Sequence, residues 1–338
     1  MATMDLAPFR TRIIGTGGWA PPRVVTNDEM QKLVDTNDEW IVQRTGIKTR
    51  RLIDFEGQLG TSEMCEHASR QALDDAGLTA ADIDLIVVGT VTPDLRLPSC
   101  AIMLQDRLKA KNAAAFDVLA ACAGSAYALS VADKFLASGS IKRALVVGAE
   151  TLTSITNWTD RNTCVLFGDA AGAFVVEAVP RAAGGAGLID VDIYSDGSTW
   201  QHIYIPKGGS LHPLKPGDVE EKQDRLIMNG REVYKFAVRS LVEAAKTVLA
   251  DNGFTIDDVD LVCAHQANLR IIEAIADRTH IPLDKFVINI DRYGNTSSAS
   301  LPITFDEARR DGRMKPGQLV LMMAIGAGMT WSAGLYRA

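Results

Sequence analysis

Three side chains in this 338-residue chain are of types, and in local settings, that could do chemistry: Cys122, His265 and Asn295. A cysteine thiolate is a nucleophile able to hold a covalent intermediate. A histidine ring and an asparagine amide can each donate and accept hydrogen bonds. Cys122 lies in Phe116-Asp117-Val118-Leu119-Ala120-Ala121-Cys122-Ala123-Gly124-Ser125-Ala126. A short apolar run ends at the cysteine, and a small-residue helical pattern then runs from about Ala123 to Ala137. A thiol at a strand-to-helix junction meets unpaired N–H groups and the positive end of the helix dipole, which predicts a lowered pKa. His265, in Val262-Cys263-Ala264-His265-Gln266-Ala267-Asn268, follows a strand and precedes a helix. That is the carboxyl end of a sheet, where ligands bind in α/β folds. Asn295 sits in Tyr293-Gly294-Asn295-Thr296-Ser297-Ser298-Ala299-Ser300, a Gly-marked turn entering another small-residue helix. Each feature also has an ordinary use: a core cysteine, a capping histidine, an N-cap or turn asparagine. Gly326-Ala327-Gly328 likewise reads as a tight turn between strands. Taken singly, none of these positions decides.

The elements that must position these residues follow from the hydrophobic pattern. Apolar runs at Leu85 to Val88, Ala144 to Gly148, Val259 to Val262 and Gln318 to Ala324 predict buried strands. Glu63 to Asp75, Glu232 to Leu249 and Leu269 to Arg278 predict amphipathic helices. Strands alternating with helices predict mainly parallel sheets covered by helices. The chain also repeats itself. Asp75-Ala76-Gly77-Leu78-Thr79-Ala80-Ala81-Asp82-Ile83-Asp84-Leu85 matches Asp251-Asn252-Gly253-Phe254-Thr255-Ile256-Asp257-Asp258-Val259-Asp260-Leu261, and Leu145 to Gly148 matches Leu321 to Ala324 at the same spacing. A duplicated unit follows, with Gly77 and Gly253 at helix C-caps. The composition shift near Pro180 to Gly187 predicts two halves, 1–182 carrying Cys122 and 183–338 carrying His265 and Asn295. Residues 195–225, rich in Gly and Pro, predict an excursion. The Gly15-Thr16-Gly17-Gly18 stretch only weakly resembles a dinucleotide loop, because Pro21-Pro22 prevent a helix from opening there.

Composition narrows the class. The chain is 47% hydrophobic and 23% charged, ample for a large core. A net charge of −7 argues against a nucleic-acid-binding protein. Five cysteines without a CxxC pair argue against a disulfide scaffold or a zinc site and for a reducing, cytoplasmic setting. The start of the chain carries no signal pattern, and no apolar run is long enough to span a bilayer, so no membrane association is expected.

Taken together, Ala121-Cys122-Ala123-Gly124, Ala264-His265-Gln266-Ala267-Asn268, Gly294-Asn295-Thr296-Ser297 and Gly326-Ala327-Gly328 resemble the β-ketoacyl-acyl carrier protein synthase III family of the thiolase superfamily. Asn37 to Ile47, Asp160 to Thr163 and Leu166 to Ala173 extend the resemblance over essentially the whole chain. It implies a duplicated αβαβα layered α/β fold. It also implies decarboxylative Claisen condensation: an acyl group passes from acyl-coenzyme A to Cys122, then to a malonyl thioester carried by acyl carrier protein. On this resemblance the backbone N–H groups of Cys122 and Ala327 form the oxyanion hole, and His265 and Asn295 stabilise the enolate. Trp40 and Arg161 flank the adenine of coenzyme A, while Arg44, Thr45, Gly230, Asn268 and Arg270 lie along its phosphates and pantetheine arm. Lys235, Arg270 and Arg278 make a basic patch for the acidic carrier. No metal or cofactor is implied; coenzyme A enters as a thioester substrate. The family is homodimeric, with Leu97 reaching across the interface into the partner's acyl pocket.

Leu97, Ser125 and Ile325 stand where aromatic residues are frequent in the family, which predicts room for a longer or branched acyl chain. A thiolase would carry a second cysteine where Ala324-Ile325-Gly326 stands, and an elongating ketosynthase a second histidine at 295. The alternative is a related natural-product enzyme that joins two longer acyl chains, forms a pyrone or transfers an acyl group without condensation. A non-catalytic partner subunit is disfavoured because the nucleophile is retained.

Overall fold

The computed structural model describes residues 7–54, 59–181 and 185–338. The first sheet has five strands, β1 (Phe9–Trp19), β2 (Leu85–Gly89), β3 (Ala114–Val118), β4 (Arg143–Glu150) and β5 (Ala170–Pro180), in the order β1-β5-β4-β2-β3. The second has four, β6 (Gly187–Ser195), β7 (Leu261–Ala264), β8 (Leu319–Gly326) and β9 (Thr330–Arg337), in the order β7-β8-β9-β6. The longer helices are α1 (Asp38–Thr45), α2 (Thr61–Ala76), α3 (Cys100–Leu108), α4 (Gly124–Ala137), α5 (Gly230–Asp251), α6 (Leu269–Thr279) and α7 (Ser300–Arg310).

The layering follows from strand alternation. Successive side chains of a strand face opposite sides. Leu85 and Val87 of β2 pack on the central helices α4 and α7, while Ile86 and Val88 pack on α2 and α3. In β8, Val320, Met322 and Ala324 face the same central helices, and Leu319, Leu321 and Met323 face α5 and α6. Both strands are buried along their whole length, as sheets covered on both faces require. The result is the thiolase-type α/β sandwich, with α4 and α7 between the sheets. Phe305 of α7 sits edge-on to Phe174 and Tyr336, one ring from each sheet, at centroid distances of 5.2 and 5.4 Å.

The sheets are mixed rather than mainly parallel. β2 runs parallel to β3 and β4, and β7 parallel to β8, but β1, β5, β9 and β6 join antiparallel. A buried apolar run is the same in either direction, so the pattern fixed the strands and not their sense. The repeat carries over to local structure. Gly77 caps α2 with φ 65, and Gly253, one residue past the Asn252 cap of α5, has φ 74. Thr79 with Asp82, and Thr255 with Asp258, form the same capping box before β2 and β7. The expected boundary between residues 182 and 183 lies outside the described residues.

The Gly15-Thr16-Gly17-Gly18 stretch is part of β1 and lets α2 lie directly on it. A Cβ on Gly15 would sit 2.1 Å from the Ala72 carbonyl oxygen, and one on Gly17 2.2 Å from that of Ala68. Overpacking of this kind costs roughly 1–3 kcal/mol. Gly15→Ala is therefore expected to lower the unfolding free energy by that amount, and an unchanged unfolding free energy would contradict this packing.

Candidate active site

Cys122, His265 and Asn295 line one cleft of about 1460 Å³. Cys122 sits on a single 3-10 turn, Ala121–Ala123, between the end of β3 and α4. The turn is strained: Ala121 has φ 47, a left-handed conformation costing about 1–3 kcal/mol for a residue with a Cβ. The end of β8 clamps it. Gly326 comes so close that a Cβ there would lie 2.6 Å from both the Cys122 nitrogen and the Ala120 oxygen. The Thr330 hydroxyl adds a hydrogen bond to the Ala120 carbonyl at 2.8 Å. Ala327 follows Gly326 in the β8–β9 hairpin turn and also lines the cleft.

His265 follows β7, and its backbone N–H donates to the Met323 carbonyl at 2.8 Å. Its Nδ1 lies 2.5 Å from the Ser300 hydroxyl, which is itself 2.6 Å from the Ser297 carbonyl. Nε2 is the ring nitrogen left for the cleft. Burial pushes the His265 pKa down to about 4, so the ring is neutral at physiological pH. Asn295 is fixed by its backbone: its N–H donates to Leu166 at 2.8 Å, and its carbonyl accepts from Gly168 at 2.9 Å. The Asn295 Oδ1 accepts the Ser297 N–H at 2.8 Å, which leaves Nδ2 as a donor.

The thiol does not have the lowered pKa expected at a helix start. Burial pushes it up to about 12, with the Glu150 carboxylate adding to the rise and a Ser297 hydrogen bond opposing it. Desolvation is the largest influence on the sulfur. Cys122 therefore rests as a thiol.

Trp40, on α1, forms an outer platform. The Arg44 guanidinium lies 4.8 Å and that of Arg161 5.3 Å from its ring centroid. Arg161 does not line the cleft; it hydrogen-bonds the Asp35 carbonyl at 3.1 Å. Gly230 opens α5 at the cleft wall. Thr45 and Asn268 reach the wall with their polar groups engaged. The Thr45 hydroxyl donates to Ile41 at 2.7 Å and accepts from Ile47 at 3.0 Å. Asn268 caps α6 through the Arg270 N–H at 2.9 Å and donates to the Arg44 carbonyl at 3.1 Å, tying α6 to α1. Arg270 and Lys235 are exposed at the cleft, Lys235 paired with Glu232 at 2.8 Å. Arg278 is exposed on the last turn of α6, outside it.

Of the three acyl-pocket positions, only Ile325 lines the cleft in this chain. Leu97 is 86% exposed. Ser125 is a correction: it is fully buried on the face of α4 that packs against the sheet, not on the cleft. Its Cβ would lie 2.7 Å from a Cβ on Gly148, so α4 lies directly on β4 at this point.

Three polar residues were not singled out from sequence. Ser300 holds His265, Ser297 faces Cys122, and Glu150, at the end of β4, accepts from Ser297 at 3.2 Å. The hydroxyl-rich run after Asn295 and a carboxylate at a strand's carboxyl end were the available signals.

Among the described residues no cluster of His, Cys, Asp or Glu is arranged to hold a metal, and no helix is long and apolar enough to cross a membrane. The model of 3-oxoacyl-[acyl-carrier-protein (ACP)] synthase III matches residues 116–197, and that of its C terminal matches residues 249–338. A β-ketoacyl-[acyl-carrier-protein] synthase III of Xanthomonas campestris pv. campestris is 49% identical, with 97% of this chain and 98% of the relative covered. The chain belongs to the synthase III family. The crystal structure of 3-oxoacyl-[acyl-carrier-protein] synthase III from Aquifex aeolicus superposes with a TM-score of 0.88 at 43% identity, covering 97% of this chain and all of that one. The priming β-ketosynthase from the R1128 polyketide biosynthetic pathway superposes with the same TM-score at 35% identity, covering 98% and 97%.

In this synthase III chain the Gly326 contact sets where the Ala327 and Cys122 N–H groups stand. Gly326→Ala is expected to leave the protein folded but to slow acyl uptake by about 10²–10³-fold, the cost of one misplaced oxyanion donor. Uptake within twofold of native, read by stopped-flow or quenched mass spectrometry, would contradict it.

Proposed function

We propose that this cleft catalyses the decarboxylative Claisen condensation that starts a fatty-acid chain. An acyl group passes from acyl-coenzyme A to Cys122, and a malonyl thioester on acyl carrier protein then captures it as a 3-ketoacyl thioester. The observation that carries this reading is the convergence of a cysteine, a neutral histidine and an oriented asparagine amide on one cleft floor. In the first half-reaction the Cys122 sulfur attacks the thioester carbonyl, and the Cys122 and Ala327 N–H groups stabilise the oxyanion. In the second, the malonyl carboxylate leaves as carbon dioxide. The electron pair develops as an enolate whose oxygen accepts from Asn295 Nδ2 and from His265 Nε2. Nε2 carries the ring proton in the tautomer whose Nδ1 accepts from Ser300, which requires the Ser300 hydroxyl to turn away from the Ser297 carbonyl to which it donates at 2.6 Å. The enolate carbon then attacks the acyl carbon, and the Cys122 thiolate departs. No cofactor is needed, because the thioester itself activates both carbons.

The cationic Trp40 platform and the N-terminus of α5 at Gly230 support binding of coenzyme A, whose adenine and phosphates are a planar and an anionic target. Exposed Arg270 and Lys235 beside the cleft support docking of an acidic carrier, with Arg278 farther along α6. Leu97, 86% exposed, and Leu119, 79% exposed, support a homodimer in which a second copy covers them. The five free cysteines support a cytoplasmic setting. With Ser125 outside the cleft, Ile325 is the substitution left to widen this chain's own acyl pocket.

The two half-reactions separate the roles. Cys122→Ser is expected to take up no acyl mass from acyl-coenzyme A. Asn295→Ala is expected to acylate normally and to lose condensation by roughly 10²–10³-fold. An acyl group mapped to Cys65, Cys100, Cys164 or Cys263, or near-native condensation by Asn295→Ala, would overturn the reading.

A further inference from the structure

The mechanism above leaves the buried Glu150 carboxyl unused. Glu150 is fully buried at the end of β4, beneath the cysteine. Its two oxygens are unequally satisfied. Oε2 accepts from the Thr92 hydroxyl at 2.6 Å, the Thr90 hydroxyl at 3.2 Å and the Val91 N–H at 3.1 Å. Oε1 has longer contacts: it shares the Val91 N–H at 3.2 Å, meets Ser297 Oγ at 3.2 Å and lies 3.3 Å from Ser298 Oγ. The Ser298 proton has a better acceptor in the Gly89 carbonyl at 2.7 Å. Oε1 therefore retains room for a proton, and Ser297 is the group aimed at it.

The same Ser297 hydroxyl faces the Cys122 thiol, both lining the cleft, and it opposes the rise that burial imposes on that thiol. Ser297 holds this bridging position with φ 50, a strained left-handed backbone in a residue with a Cβ. Strain of this kind persists where the surroundings enforce it and marks candidate functional positions. One hydroxyl thus stands between a half-buried thiol in the cleft and a buried carboxylate.

We propose that Glu150 is the proton acceptor for Cys122 during acylation, acting through Ser297; this rests on Cys122 being the acylated residue. As Sγ forms its bond to the thioester carbon, the thiol proton moves to Ser297 Oγ, and the Ser297 proton moves to Glu150 Oε1. When the tetrahedral adduct collapses, the bond to the donor sulfur breaks. The proton returns from Glu150 through Ser297 to that departing sulfur, which leaves as a thiol. No proton is gained or lost in the step, and Glu150 is reset.

The competing base is His265, and the comparison favours Glu150. Burial pushes the carboxyl up to about 7, against hydrogen bonds from Thr92, Val91, Thr90 and Ser297 that hold it down, while burial takes the His265 ring down to about 4. Near neutrality the carboxylate is the stronger base. The groups facing Glu150 from the 90–92 loop and the 297–298 turn are hydroxyls and an amide, and the titratable side chain facing it is Cys122 on the 121–123 turn. Acylation therefore needs Glu150 ionised, so its rate should fall as pH drops through about 7.

The test is the pH profile of Cys122 acylation by acetyl-coenzyme A and octanoyl-coenzyme A, read by quenched-flow intact mass from pH 5 to 9. The native enzyme should lose rate below neutrality. Glu150→Gln should acylate about 10²-fold more slowly at pH 7.5 and lose that acid limb, as removal of a general base predicts. Ser297→Ala, which cuts the relay and leaves Glu150 in place, should show the same loss and the same flattening. It decides the matter should Glu150→Gln fail to fold. A native-like rate and acid limb in Ser297→Ala overturns the relay while leaving Cys122 acylation intact. Faster acylation in Glu150→Gln also overturns it, because Glu150 would then only repel the thiolate. A native protein acylated elsewhere than Cys122 overturns the functional reading itself.

Discussion

Close approach of backbone to backbone sets this structure's geometry. At Gly89 a Cβ would lie 2.3 Å from the carbonyl carbon of Gly124, the first residue of α4. At Gly148 it would lie 2.2 Å from the Ser298 oxygen, and at Gly326 2.6 Å from the Cys122 nitrogen. Three strand ends therefore meet the 121–124 and 297–299 turns with no side chain between them. Packing this dense resists the displacement of any one part. It explains how strained residues such as Ala121 and Ser297 are held. The nucleophile, the asparagine turn and the Ala327 hairpin are positioned by the same contacts.

A second layer of buried polar groups fixes the asparagine. The Arg50 guanidinium, fully buried, donates to Asn27 Oδ1 at 2.8 Å and to the Val165 carbonyl at 2.7 Å. Burial lowers its pKa to about 10, which leaves it cationic. It pins the segment whose Leu166 and Gly168 hold the Asn295 backbone. Asp169, next in the chain, accepts from the Ile53 N–H at 2.8 Å and pulls the 51–53 segment against the same region. A buried charge held by neutral groups is costly, and removing one partner costs more than the pair contributes. The donor geometry of Asn295 thus rests on residues far from it in sequence.

Much of this was legible in the chain. Cys122, His265 and Asn295 carried short motifs with local signatures: an apolar strand, a turn, a small-residue helix. The repeat was legible because a helix cap, an Asp-terminated capping box and a strand entry are local structures that sequence encodes directly. Strand direction was not, since hydrophobic burial has no sense along the chain. Ser125 was misassigned because one residue's rotation on α4 decides whether a side chain meets the cleft or the sheet, and only the Gly148 contact fixes that rotation. The thiol pKa was misjudged for a related reason: a helix start is visible in sequence, but the depth that desolvates the sulfur is not. Glu150 carried only a weak signal, because a carboxylate at a strand end ordinarily meets water. Only the fold brings Thr90, Thr92 and Ser297 around it.

The measurement that tests the account most directly is the crystal structure of the protein after reaction with an acyl-coenzyme A. The account predicts continuous density from Cys122 Sγ to the acyl carbon. It places the carbonyl oxygen within hydrogen-bond distance of the Cys122 and Ala327 N–H groups, with His265 and Asn295 facing the vacant malonyl side. Density on another cysteine, or an acyl oxygen turned to His265 and Asn295 instead of the backbone amides, would contradict it.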